Sequence, residues 1–215
     1  MSAENIQLDS EQALTRRNLL EAASEVFAEI GFRAATVREI CQRAGANIAA
    51  VNYHFGDKAK LYVEVLRRSQ EQAFQKYPPD YGIKPGASAE EKLKAFVRSF
   101  LLRIFDEGTT AHHGKMMSRE MIEPTGALDA LVEEKIRPTA MQLAQIVREL
   151  IGPGVDDEKV RLCAMSIVSQ CVFHHHCRPV VIRLFPNQKF TTEDVERLAE
   201  HITQFSLGAL KGVKA

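Results

Sequence analysis

With 215 residues, 45% apolar and 26% charged, the chain is long enough for one large or two small domains and too apolar for a disordered segment. Its 28 Lys and Arg balance 28 Asp and Glu, so bulk charge does not advertise a polyanionic partner. No apolar run approaches the roughly 18 residues of a membrane span, and the N-terminus lacks a basic stretch followed by an apolar core, so a cytoplasmic location is expected.

Helical periodicity runs through the whole chain without a convincing strand, which predicts an all-α fold of about nine helices. Residues 1–10 are polar and read as a flexible arm. A first helix is expected from about Glu11 to Ile30, with Leu19, Ala23, Val26, Phe27 and Ile30 inward and Gly31 as its stop. Thr36 can cap a second, very short helix whose apolar positions Val37, Ile40, Cys41 and Ala44 fall at i, i+3, i+4 and i+7. Gly45 ends it. Asn47 can cap a third helix in which Ile48, Val51 and Phe55 form the expected buried stripe. Its other face carries the small residues Ala49 and Ala50 and the polar tips of Asn52, Tyr53 and His54.

Two such short helices add little to a core, but a small-residue face lets the second enter a DNA major groove about 12 Å wide. Arg38, Arg43, His54, Lys58 and Lys60 cluster around this helix. Placement of charge, rather than its total, therefore points to DNA. After Gly56 and Asp57, Lys58 opens a fourth helix, where its ammonium and the free N–H groups could hold one phosphate. Its loss should then lower the salt dependence of binding by about one counterion.

The fourth helix carries Leu61, Val65 and Leu66 towards Phe74. Three prolines and two glycines between Tyr77 and Gly86 mark a domain junction, dividing the chain into a helix-turn-helix domain, 11–76, and a larger helical domain, 77–215. Ser88 to Glu91 is a capping box. It opens a helix with Leu93, Phe96, Val97, Phe100, Leu101, Ile104 and Phe105 inward, ended by Gly108. A short helix is expected over about Lys115 to Ile122. A long one, about Ala127 to Leu150, should be kinked or divided by Pro138. Two final helices are expected over about Asp157 to Leu184 and Thr192 to Leu210.

The run from Thr15 to Leu66 resembles the DNA-binding domain of the TetR family of transcriptional regulators. Arg17, Leu20, Ala23, Phe27, Gly31 and Phe32 carry the likeness in the first helix, followed by Thr36, Ile40, Ala44, Gly45, Tyr53, His54, Phe55, Lys58 and Leu61. The chain departs from the common family pattern at Asn47, Ile48, Ala49 and Asn52, which implies a different operator sequence. The resemblance implies a homodimer on a palindromic operator, acting most often as a repressor released by a small-molecule effector. Thr36, Tyr53 and Lys58 would hold phosphates, and Asn47, Ala50 and Asn52, with His54, would meet base edges; Arg38 and Ala49 complete the expected DNA-facing set.

In the C-terminal part, HHGKMMSREMIEPTGALDALVEEKIRP and CVFHHHCRP resemble the subgroup with a CecR/YbiH-like effector domain, which includes regulators of efflux and drug-sensitivity genes. Met116, Met117 and Met121 with Phe100, Phe105 and Phe173 would make a soft lining. Arg119, Glu120 and His174 could add polar anchors. Second apolar stripes on the last two helices, Met165, Val168, Val172 and His176 with Leu198, Ile202, Phe205 and Ala209, predict a dimer interface.

Cys41, Cys163, Cys171 and Cys177 have no tight CxxC spacing and read as reduced structural thiols. Cys171 and His175, at i and i+4, could converge on zinc or copper, which keeps a metal-sensing repressor as an alternative, although three consecutive histidines cannot share one ion. No cofactor is expected. A metal-dependent hydrolase is the remaining class, but the chain lacks HExxH, a nucleophile elbow, a Walker loop and a dinucleotide fingerprint, so no catalytic residue is assigned.

Overall fold

The computed structural model describes residues 3–106 and 111–213, with backbone alone at 3–9 and 111. The described elements are all helical: α1 (Ala3–Ala34), α2 (Val37–Ala44), α3 (Ile48–Phe55), α4 (Lys58–Lys76), α5 (Ala89–Phe105), α6 (Ala111–Ile122), α7 (Ala127–Leu131), a π-helical turn (Val132–Ile136), α8 (Arg137–Ile151), α9 (Asp157–His176), α10 (Arg178–Leu184) and α11 (Thr192–Lys211). The backbone is helical from Ala3, so the stretch expected to be a loose arm extends α1 instead. Gly31, at φ 80° and ψ 170°, interrupts α1 where the stop was expected, and one further turn follows. The predicted stop at Gly108 lies outside the described residues.

Two other helix boundaries follow from proline chemistry. Pro138 has no N–H to donate, and the hydrogen-bond ladder before it slips to the wider register, with the Arg137 N–H reaching the Val132 carbonyl. The expected long helix is therefore split into α7, the π turn and α8. The helix expected from Asp157 to Leu184 is also divided. It ends at His176, Cys177 leaves helical geometry (φ −90°, ψ 10°), and Pro179 sits in the first turn of α10, a position it favours.

The chain forms two compact units, Met1–Gln72 with His112–Asp129, and Ala73–Ala111 with Ala130–Ala215. The segment 112–129, placed with the C-terminal domain by the sequence, thus packs with the N-terminal helices. In this first unit α1, α2 and α3 pack on one another. Leu19, Ala23, Val26, Phe27, Ile40, Val51, Leu61 and Leu66 are buried there, and burial of each of these side chains other than alanine contributes about 1.5–3 kcal/mol. Phe27, Phe32 and Tyr62 join in edge-on and tilted ring contacts. The second unit is a bundle in which α5 packs against α8, α9 and α11. Its core includes Leu93, Phe96, Val97, Leu101, Leu143, Val147, Ile167, Ile202 and Leu210. The Ser88–Glu91 capping box opens α5, and Thr191 and Asp194 form another at α11.

Candidate nucleic-acid interface

The α2–α3 pair is assembled by its caps. Thr36 is extended and its Oγ1 accepts the Glu39 N–H at 3.1 Å. Gly45 takes the left-handed conformation (φ 64°, ψ 31°) that L side chains rarely adopt, and its N–H closes on the Cys41 and Gln42 carbonyls. Asn47 Oδ1 then accepts the Ala49 N–H at 3.0 Å and starts α3. Each helix has only eight residues. Their orientation depends on a few buried side chains, Ile40 and Cys41 from α2 and Val51 and Phe55 from α3.

The outer surface of α3 presents Asn47, Ile48, Ala49, Asn52 and Tyr53 to solvent, with Ala50 and His54 half-buried. Ile48 was expected in the buried stripe, yet 53% of it is exposed. Its angular position suits the stripe, but it stands in the first turn and the packed surface ends at Val51. An exposed β-branched residue thus joins the outer face, which periodicity alone did not reveal. Tyr53 is 69% exposed, its ring edge-on to His54 and its hydroxyl donating to Gln12 Oε1 at 3.4 Å.

The basic cluster is smaller than the sequence suggested. Arg38 is exposed and makes no ion pair among the described residues. Arg43 instead lies against Glu29, Glu25 and Glu39 at 3.1, 3.5 and 3.9 Å. Its hydrogen bonds hold the Glu29 carboxyl below its ordinary range. Lys60 approaches Asp57 at 3.9 Å. Lys58 corrects its predicted role: Nζ donates to the Phe32 and Ala35 carbonyls, each at 2.9 Å, and lies 4.5 Å from the Phe32 ring centre. Carbonyls at a helix end lack intrahelical partners and attract cations, so the amine ties α4 to the end of α1 rather than projecting towards a phosphate.

Arg119 and Glu120, expected to anchor an effector, also have internal roles in the first unit. Glu120 is fully buried. Its Oε2 accepts the Tyr62 hydroxyl at 2.9 Å, and its Oε1 accepts the Thr125 N–H at 2.7 Å and the Thr125 hydroxyl at 2.8 Å. Burial, then the adjoining carboxylate, raises the Tyr62 phenol above its ordinary range. Arg119 Nη2 donates to the Glu29 carbonyl at 2.7 Å. A Cβ at Gly31 would lie 3.0 Å from Arg119 Nη1, so glycine there serves both the positive φ and the close approach. A groove of about 660 Å³ runs beside this network, between His54 and Phe55 of α3, Lys60 and Tyr62 of α4, and Thr125 and Gly126.

The predicted effector set is divided between the two units. Met117, Arg119 and Met121 belong to the first unit; Phe100, Phe173 and His174 belong to the second. Met121 and Phe173 are 46% and 55% exposed. His174 is half-buried, and burial lowers its basicity. The predicted dimer set is also mixed. Ile202 is buried inside its own unit, and Val168 and Leu198 pack against the same core. Val172 is half-buried, His176 is exposed, and Met165 and Phe205 are largely exposed. The outward stripe of α9 comprises Leu162, Met165, Phe173 and His176, and α11 presents His201, Phe205 and the uncrowded Gly208.

Cys171 is buried, with its thiol pushed up to about 12 by desolvation, and His175 lies edge-on to Phe105. Among the described residues no three His, Cys, Asp or Glu side chains converge as a metal site. Likewise, no described helix is long and apolar enough to cross a membrane.

Residues 19–65 match the family model of bacterial regulatory proteins, tetR family, and residues 89–210 match that of the C-terminal domain of the HTH-type transcriptional dual regulator CecR. The chain is similar to the dual regulator CecR of Shigella flexneri, 25% identical with 91% of this chain and 90% of the relative covered. It is also similar to the transcriptional repressor NicS of Pseudomonas putida, 26% identical with 93% and 92% covered. Among solved structures, the TetR family regulator PfmR of Thermus thermophilus shares the fold with a TM-score of 0.65, at 18% identity over 88% of this chain and 93% of that one.

Proposed function

The chain belongs to the TetR family of transcription regulators, with a CecR-type C-terminal domain, and from that premise we propose that it is a homodimeric repressor, released from a palindromic operator by a small-molecule effector. DNA binding and transcription regulation belong to the family, which is not enzymatic. Repression is supported by the similar NicS, a repressor, while CecR is named a dual regulator. The place of action is the cytoplasm, with the DNA.

The observation that carries the reading is the outward face of α3, held by two side-chain caps and two buried anchors. Asn47, Ile48, Ala49, Ala50 and Asn52 enter the major groove, where amides and apolar groups discriminate base edges. Arg38, Thr36 and Tyr53 hold phosphates; the Thr36 hydroxyl keeps its proton to donate, since it only accepts from Glu39. The exposed apolar stripes of α9 and α11 meet the same stripes of a second copy, and the two-fold axis sets the reading helices roughly 34–36 Å apart. The effector is received by the second unit. Its signal reaches α3 through 112–129, which the chain enters from α5 and leaves into the π turn, and which Glu120 and Arg119 fasten to α4 and α1.

Selection of bound duplexes from a random pool, followed by footprinting on the host genome, tests this reading. An inverted repeat with half-sites one helical turn apart is expected. A purified dimer with no preference for any duplex over random competitor would refute it.

A further inference from the structure

Arg103, on α5, is a buried cation without a counter-ion among the described residues. It is 3% exposed. Its Nη1 donates to the Tyr77 carbonyl at 2.7 Å and meets the Ser99 hydroxyl at 2.6 Å. The guanidinium also lies 4.3 Å from the Phe74 ring centre and 5.7 Å from that of Phe100. The neighbouring carboxylate, Asp106, pairs with Lys76 at 2.9 Å. Cys171 cannot answer the charge either, because burial keeps its thiol protonated at neutral pH. Burial also pulls the guanidinium down to about 10, the sign of a cation held where charge is unfavourable.

Neutral acceptors satisfy hydrogen bonds but leave a buried charge uncompensated. Closing the end of α4 does not require that charge, since the Ser99 hydroxyl already stands 2.8 Å from the Tyr77 carbonyl and 2.7 Å from that of Pro78. A guanidinium does match a carboxylate, which it can grip through two parallel bonds. We propose that Arg103 is the receptor for the carboxylate head of an amphipathic effector, which takes the guanidinium from the Tyr77 carbonyl and lays its apolar body along the Phe74 and Phe100 side of the core. The inference rests on the second unit being the effector domain, and it adds the ligand's class and the residue that selects it. It also supplies a trigger. Tyr77 directly follows α4, a continuous helix that begins just after the reading helix, so losing the Arg103 bond leaves the carbonyls at that end held by Ser99 alone.

The test uses the full-length protein and four probes sharing one alkyl chain: decanoate, decanol, decyl sulfate and decyltrimethylammonium, each below its micellar concentration. Calorimetric binding is measured alongside operator release. Decanoate is expected to bind at least tenfold tighter than decanol and the cation, with decyl sulfate between them, and to release the operator. Arg103→Gln should abolish the preference for decanoate over decanol, and Arg103→Lys should keep part of it. Equal wild-type affinity for decanoate and decanol, or binding of no probe, overturns the proposal whether or not the variants fold. So does a variant that only melts earlier while keeping the preference, since Arg103 would then merely close the helix end. A ligand-free protein that binds no selected duplex would instead overturn the functional reading, leaving the head-group comparison to stand by itself.

Discussion

Tyr62→Phe removes one hydrogen bond from the network that fastens residues 112–129 to α4. Glu120 is fully buried and accepts three hydrogen bonds, from the Tyr62 hydroxyl at 2.9 Å and from Thr125 at 2.7 and 2.8 Å. A hydrogen bond to a charged group contributes about 1.5–3 kcal/mol, and the two Thr125 donors continue to satisfy the carboxylate. A loss of about 2 kcal/mol is therefore expected, since the phenyl ring preserves the packing on Phe27 and Phe32. Glu120→Gln should cost less, because the amide can donate to the tyrosine oxygen while its carbonyl accepts from Thr125. A double-mutant cycle of Tyr62→Phe with Glu120→Ala, which leaves the phenol without this acceptor, should give a coupling of about 1–2 kcal/mol. Denaturant titration measures these energies, and hydrogen exchange should show faster opening over 112–129 in Tyr62→Phe. A Tyr62→Phe stability within about 0.5 kcal/mol of wild type, or a cycle that sums to zero, would refute the argument that this network binds the segment to the reading unit.

Lys58→Met should lower stability by about 1–2 kcal/mol, since two carbonyls lose their cationic donor, while the slope of log affinity against log salt stays unchanged. A slope smaller by about one counterion with unaltered stability would return Lys58 to the phosphate backbone. Ile48→Ala should weaken operator binding, and replacing thymine by deoxyuridine along the operator should weaken the wild type at one position per half-site but not the variant; an unaltered deoxyuridine profile would exclude methyl readout by Ile48. His175 is held down to about 4, chiefly by burial and further by His176 and Arg178. The unfolded chain takes up that proton first, so stability should be intact above about pH 6.5 and decline towards about pH 4, by about 2 kcal/mol after allowing for partial exposure. His175→Gln should flatten the decline in denaturation measured at pH 7 and pH 4.5, leaving a smaller slope from His174, whose basicity burial also lowers.

Local signals made the reading motif legible. Thr36, Gly45, Asn47 and the Ser88–Glu91 box act on backbone groups within a few residues, so their effect appears in the sequence and in the structure alike. Pro138 was legible for the same reason, whereas Pro179 acted by the same chemistry but lay within a run of convincing periodicity. The helical class, the two-helix reading motif and the family resemblance were therefore determined by the sequence alone. Tertiary structure decided the partners: that Ile48 faces outward, that Lys58 is taken by backbone carbonyls and Arg43 by carboxylates of the same chain, that Ile202 turns into its own core, and that Arg119 and Glu120 fasten 112–129 to α1 and α4. Helical spacing specifies the angle at which a side chain leaves its axis, but what it meets there depends on which neighbouring helix reaches that height, and that is settled only when the helices pack.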